Sequence, residues 1–176
     1  FGLGAKYNDL KTISNIFALK QRPLLNPLIV HISRKDMIHM VAKEIPNDAM
    51  LLMDAFFPGP LTLVLLKHDS VSDVITAHQK TVAVRMPSHE TARLFIEKVG
   101  VPVVAPSANL SGKPSSTHTS HVLEDFNERI PYIIDGSASE FGIESTIIDM
   151  TRKPYTILRP GVIKAKDIEA VLGFKT

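Results

Sequence analysis

Residues 101–117 read VPVVAPSANLSGKPSST: an apolar run from Val101 to Ala105 that ends in a polar loop from Pro106 to Thr117. The apolar half is short and rich in branched residues, which is the composition of a buried strand. The loop carries several hydroxyls, the Asn109 amide and a flexible Gly112, and it exceeds the roughly four to six residues of a usual compact connection. At a strand end, such a loop offers many short donors to phosphate or ribose oxygens. The plainer reading is a turn-rich connection, since Ser, Asn, Gly and Pro all form turns. It lacks the Gly-Lys-Ser/Thr ending of a P-loop, so a Walker-type NTPase has no support.

Upstream, Leu10, Ile13 and Phe17 have helical spacing, and the helix they predict stops near Lys20, ahead of Pro23. Leu28 to Ile32 predicts a strand with His31 set into it. Ala49, Leu52, Met53 and Phe56 predict a helix broken by Pro58-Gly59-Pro60 before the strand Leu61 to Leu66. Val82 to Val84 predicts a strand leading to Arg85, and Ala92, Phe95, Ile96 and Val99 make one helical stripe. Downstream, Thr117 is the expected cap of a helix carrying Val122 and Phe126. Three late strands are expected at Tyr132 to Asp135, Thr146 to Met150 and Tyr155 to Leu158. Ile168, Val171 and Leu172 form a last helix ended by Gly173. Strands and helices mix throughout, so the expected architecture is an open α/β sheet of mixed direction with flanking helices and ligands at strand ends.

A chain of 176 residues, 44% hydrophobic and 22% charged, supports one core and one domain, 1–176. Without cysteine there is neither a disulfide framework nor a thiolate metal site, and a cytoplasmic address is the expectation. The longest apolar stretches are cut by Asp54, Pro58 and Pro60, short of the roughly 20 residues that cross a bilayer. A net charge of +2 and a pI near 8.8 permit an anionic ligand without demanding nucleic acid. The chain opens on Phe1-Gly2-Leu3-Gly4-Ala5, with no initiating methionine and no leader, so a sequence clipped at its front is expected.

Several polar residues stand out against this frame. Lys20 and Arg22 lie beside a helix end with Asn26 in the following loop, and two cations this close suit a polyphosphate. They also suit a solvated helix terminus. His31 in an apolar strand reads, taken alone, as a core histidine. Arg85 and Arg159 each follow a strand, a placement for a carboxylate or phosphate or for a stem packed on the sheet. Glu144-Ser145-Thr146 opens a strand and either caps the loop or faces a ligand. His118 and His121 suit solvated positions better than ligation, so no protein-bound zinc is expected, and no catalytic triad can be assembled.

Together the stretches FGLGA, KQRPLLNPLIVH, FFPGPLTLVL, TVAVRMPSH, VVAPSANLSGKPSST, IIDG, GIESTIID and ILRPGVI closely resemble the YrdC family of threonylcarbamoyl-AMP synthases, in the family's order and over nearly the whole chain. The resemblance implies a twisted open mixed sheet with a concave basic groove. It implies a nucleotidyltransferase that joins L-threonine, bicarbonate or CO2, and ATP with Mg²⁺ into threonylcarbamoyl-AMP and pyrophosphate, for a downstream threonylcarbamoyl transferase complex acting on tRNA. Mg²⁺ would be held mainly by the ATP phosphates. By motif, Lys20, Arg22, Asn26, Thr81, Ser107, Asn109, Ser115 and Arg159 correspond to the ATP site, with Lys20 and Arg22 carrying catalysis. His31, Arg85, Ala105 and Ser145 correspond to the threonine site, which raises the functional reading of His31 above the core one. A Thr-rich strand that precedes FGLGA in the family is absent here, Phe57 replaces a frequent Trp, and longer members append a second domain after a linker. Two other classes stay open. One is a double-stranded RNA binding module, whose basic surface would also give weak RNA binding; the other is the carbamoyl-transfer module of a hydrogenase maturation protein.

Overall fold

The computed structural model describes residues 1–136 and 144–176. The elements in chain order are β1 Ala5–Lys6, α1 Leu10–Lys20, β2 Ile29–His31, a 3₁₀ turn at Lys35–Met40, α2 Asn47–Phe56, β3 Leu61–Leu66 and α3 Asp73–Thr76. They continue with β4 Thr81–Arg85, α4 Glu90–Val99, β5 Val103–Val104, α5 Thr119–Phe126, β6 Thr146–Asp149, β7 Thr156–Arg159 and α6 Ala165–Leu172. The seven strands form one mixed sheet in the order β1-β5-β2-β4-β3-β6-β7. β2 runs parallel to β4, and β3 runs parallel to β6. The other neighbours are antiparallel.

Alternation along each strand assigns the two faces. Val30, Val82, Val84, Leu61, Leu63, Leu65 and Ile148 are buried in the core with Phe17, Leu52, Ile96 and Phe126 of the helices. The other face carries Ile29 and His31 of β2, then Thr81, Ala83 and Arg85 of β4, all only partly buried. A register shift between Ile147 and Ile148 places Arg159 opposite Ile147 while Ile157 stays opposite Ile148. In a regular ladder residues 157 and 159 would share a face; the extra residue turns Arg159 to the side of Ile147.

α1 is capped by Asp9, whose carboxylate accepts from Thr12 N at 3.0 Å. It ends at Gln21, a left-handed residue with φ of 53° whose N–H returns to Phe17 and Ala18. That exit leaves Lys20 inside the last turn, pointing into the protein, and sends Arg22 into the next loop.

Two expectations are corrected. Tyr132 to Asp135 forms no strand: Tyr132 and Ile134, the alternate residues that a ladder would bury, are 87% and 54% exposed. Thr117 is not the cap of α5, which starts two residues later with His118 at the cap, and the His118 side chain makes no capping bond. The motif GIESTIID begins with Gly142 and Ile143, which lie outside the described residues. Its remainder opens β6 as expected.

Candidate active site on the open face of the sheet

His31 and Arg85 are register partners at the ends of parallel β2 and β4. His31 Nδ1 is buried without a hydrogen-bond partner. Such an atom costs about 1–3 kcal/mol unless something pairs it, so it marks a position where a ligand would be welcome. Burial, and then the Arg85 charge, push the imidazole down to about 4, so the ring is neutral at pH 7. Arg85 Nε donates to Gly59 O at 3.0 Å, which ties it to the Pro58-Gly59-Pro60 turn. Burial and the nearby Arg159 lower its pKa from the usual guanidinium range.

Arg159 is held at three points: Nε donates to Ser145 O at 3.0 Å, Nη2 to Ser145 Oγ at 3.0 Å, and Nη1 to Glu144 Oε2 at 2.7 Å. The Ser145 hydroxyl, 1% exposed, also shares a 2.7 Å hydrogen bond with Thr62 Oγ1 of β3. The backbone bends tightly here, since a Cβ on Gly161 would stand 2.5 Å from Thr146 N and 2.6 Å from Glu144 O. Only glycine allows the chain after Arg159 to press against the start of β6.

Lys20 is 1% exposed. Its ammonium donates to the carbonyls of Ser107 and Asn109, and its own carbonyl accepts from Ser111 N at 2.9 Å. The C-terminal turn of α1 is therefore clamped onto the 106–117 loop by main chain and side chain together. Burial, then repulsion from Arg22, bring Lys20 down to about 8 against an opposing pull from Asp125. Within the loop, Asn109 Nδ2 donates to Leu110 O and Lys113 O at 2.9 and 2.8 Å, and Ser116 Oγ donates to Ala108 O. Asn109 spends its amide on shaping the loop, while its Oδ1 is buried without a partner. Asp125 of α5 holds the loop from the other side: one carboxylate oxygen accepts from Leu110 N at 2.9 Å and the other pairs with Lys113.

Arg22 folds over the 22–27 loop, with Nε donating to Asn26 O at 3.2 Å and Nη2 to Pro27 O at 2.9 Å. Burial lowers its pKa, and Glu144 opposes that shift. The charges therefore form one field: Lys20 and Arg22 repel each other, Glu144 attracts Arg22 and binds Arg159, Arg159 repels Arg85, and Arg85 depresses His31. Residues drawn from five separate stretches of chain meet in this field.

Not every sequence-predicted residue joins it by contact. Thr81 opens β4, four residues before Arg85, and its hydroxyl reaches only Gln79, at 3.4 Å. Ser115 stands exposed on the loop, and Ala105 N reaches Ile29 O at 3.4 Å, just past β5. Sequence reasoning passed over Thr62 and Asp125 and left Glu144 between capping the loop and facing a ligand. A lone hydroxyl inside the apolar run LTLVLL was the available signal for Thr62. Asp125, on a helix face beside the core residue Phe126, had none.

Among the described residues no group of three His, Cys, Asp or Glu side chains could hold a metal. Among the described residues the carboxylates near the site are Glu144 and Asp125, already engaged by Arg159 and Lys113, and this donor set does not suit a protein-bound Mg²⁺. Also among the described residues, no helix is long and apolar enough to cross a membrane.

Comparison with known proteins bears on this arrangement. The Sua5/YciO/YrdC family profile, described as telomere recombination, matches residues 1–161. The chain is 50% identical over 173 residues to the threonylcarbamoyl-AMP synthase of Pyrococcus abyssi, covering 98% of this chain and 51% of that protein. It is 44% identical over 174 residues to the Bacillus subtilis protein of the same name, covering 98% and 50%. The crystal structure of P. abyssi Sua5 complexed with L-threonine superposes with a TM-score of 0.95 at 50% identity, covering 99% of this chain and 51% of that one. The chain thus spans about half the length of these two curated relatives.

Proposed function

The chain belongs to the Sua5/YciO/YrdC family, and from that premise we propose that it is the catalytic part of a threonylcarbamoyl-AMP synthase, a nucleotidyltransferase acting on L-threonine, bicarbonate or CO2, and ATP. The observation that carries the reading is the gathering of Lys20, Arg22, Arg85 and Arg159 in one field beside the unpartnered Nδ1 of His31. Among the described residues only Arg159 of these four cations has a carboxylate partner, Glu144; the other three are costly without an anion, and a nucleotide with an amino acid carboxylate supplies that charge.

The threonine nitrogen adds to CO2 and loses a proton, giving a carbamate. A carbamate oxygen attacks the α-phosphorus of ATP, the bond from that phosphorus to the bridging oxygen breaks, and pyrophosphate leaves with the electron pair. No covalent enzyme intermediate is needed, so the protein contributes positioning and charge stabilisation. Arg85, braced on Gly59 O, grips the threonine carboxylate. Neutral His31 offers Nδ1 to a polar group of the amino acid, and Ser145, locked by Thr62 and Arg159, shapes the same pocket. Arg22, Arg159 and the third N–H of Lys20 face the phosphates, since two of the three Lys20 donors are already spent on carbonyls. Thr81 lies about 13 Å from Arg85 along the strand at roughly 3.3 Å per residue, which accommodates a nucleotide laid along the sheet with Asn26, Ser107 and Ser115 at its border. ATP would enter as its Mg²⁺ complex, the ion neutralising phosphate charge. The product passes to a threonylcarbamoyl transferase that modifies tRNA in the cytoplasm.

The test is pyrophosphate release by the full-length protein with threonine, bicarbonate and ATP omitted in turn. Release should require all three. Release indifferent to threonine would overturn the proposal.

A further inference from the structure

α5 is seated by Val122 and Phe126, 3% and 0% exposed, one helical turn apart on its buried side. That seating presents Asp125 to the 106–117 loop with its side chain only 6% exposed. Few acids are buried to this degree without a task, and both oxygens of this one are committed: one to Leu110 N at 2.9 Å, the other to Lys113. The opposite side of the same loop is held by the Lys20 ammonium on Ser107 O and Asn109 O. The loop is therefore gripped by a cation from α1 and an anion from α5, and the charge on Asp125 favours the protonated form of Lys20.

We propose that Asp125 is a positioning residue for ATP: from α5 it sets the Ser107–Lys113 turn opposite the Lys20 ammonium, so its loss weakens nucleotide binding without touching threonine binding. This rests on the function proposed above. On the threonine side of the site, His31 and Arg85 end β2 and β4, Ser145 immediately precedes β6, and Ala105 alone borders the loop, its N–H held by Ile29 O of β2; among the described residues no hydrogen bond joins any of the four to Asp125. An effect transmitted through the loop is therefore selective. The charged groups acting on Lys20 are Arg22, from the segment after α1, and Asp125, from α5, whose Oδ1 also pairs with the Lys113 ammonium. Arg22 favours the neutral amine and Asp125 the ammonium. Removing the carboxylate charge moves Lys20 titration to lower pH.

The experiment uses the full-length protein with Asp125→Ala and the isosteric Asp125→Asn, which keeps an acceptor for Leu110 N–H but carries no charge. Steady-state pyrophosphate release is measured against ATP and against threonine from pH 6.5 to 9.5, beside equilibrium ATP titration without threonine. Asp125→Ala should raise KM and Kd for ATP about tenfold, the scale of a lost charge-assisted hydrogen bond, with KM for threonine within twofold. Asp125→Asn should raise them less and shift the alkaline limb of the ATP-dependent profile to lower pH. Variants with wild-type ATP binding and an unmoved alkaline limb would overturn the proposal, as would equal losses toward both substrates. If the wild-type protein shows no threonine-dependent turnover, the functional reading fails separately, and the ATP titration still decides the role of Asp125.

Discussion

Replacing His31 by Gln should remove a large part of the acid sensitivity of the fold. His31 ionises at about 4 in the folded protein and near 6.5 when unfolded. The unfolded chain therefore binds more protons between those values, and stability falls as pH drops through that window. The contribution is fully present above pH 6.5 and is lost on the way to pH 4. Between pH 7 and pH 4.5 the linkage amounts to about 2 kcal/mol, from a depression of roughly two and a half pKa units. The cause is local: the ring is buried beside Arg85, with Nδ1 unpaired, so the cost of burying a cation there outweighs the backbone hydrogen bonds at Ile29 and Val103 that favour it. Urea unfolding of wild type and His31→Gln at the two pH values measures it. The wild-type free energy should drop by about 2 kcal/mol more than that of the variant. Equal drops would show that the imidazole is better solvated than its surroundings suggest, and would remove the argument that the site awaits a polar ligand there.

Three other outcomes follow from the same geometry. Arg22→Ala should reduce threonine-dependent pyrophosphate release by about a hundredfold, the scale of a lost transition-state charge contact, with unchanged circular dichroism; near-normal turnover would detach Arg22 from the phosphates. Gly161→Ala forces a Cβ to within 2.5 Å of the Thr146 backbone, so calorimetry should show a lower Tm, and threonine KM should rise as Ser145 and Arg159 are displaced. Thr62→Val deletes one of the two partners of the buried Ser145 hydroxyl and leaves Arg159 Nη2 as the other, and denaturant unfolding should register a loss of about 1 kcal/mol.

The local structure was largely legible because it depends on short-range patterns. Helical spacing located α1, α2, α4 and α6, and branched apolar runs located β2, β3, β4 and β6. Among the short elements, β5 showed itself through the apolar run Val101 to Ala105, while β1, α3 and the 3₁₀ turn escaped, since none of them carries an uninterrupted apolar run or a readable period. Tyr132 to Asp135 misled for the opposite reason: its composition suits a strand, but strands are made by partners. Among the site residues, family motifs picked out those that the proposed chemistry uses. Thr62 and Asp125 remained hidden, because their roles are defined by neighbours 83 and 15 positions away.

By itself, then, the amino-acid order determined which segments coil, which extend and which cations flank them, because those properties are set by residues within a few positions of one another. Only the tertiary structure decided that β2 and β4 align His31 with Arg85, that a bulge turns Arg159 to the same side, and that Lys20 grips a loop instead of reaching solvent. Register, burial and electrostatic field are sums over distant parts of the chain, and they take values only once the sheet has closed around its core.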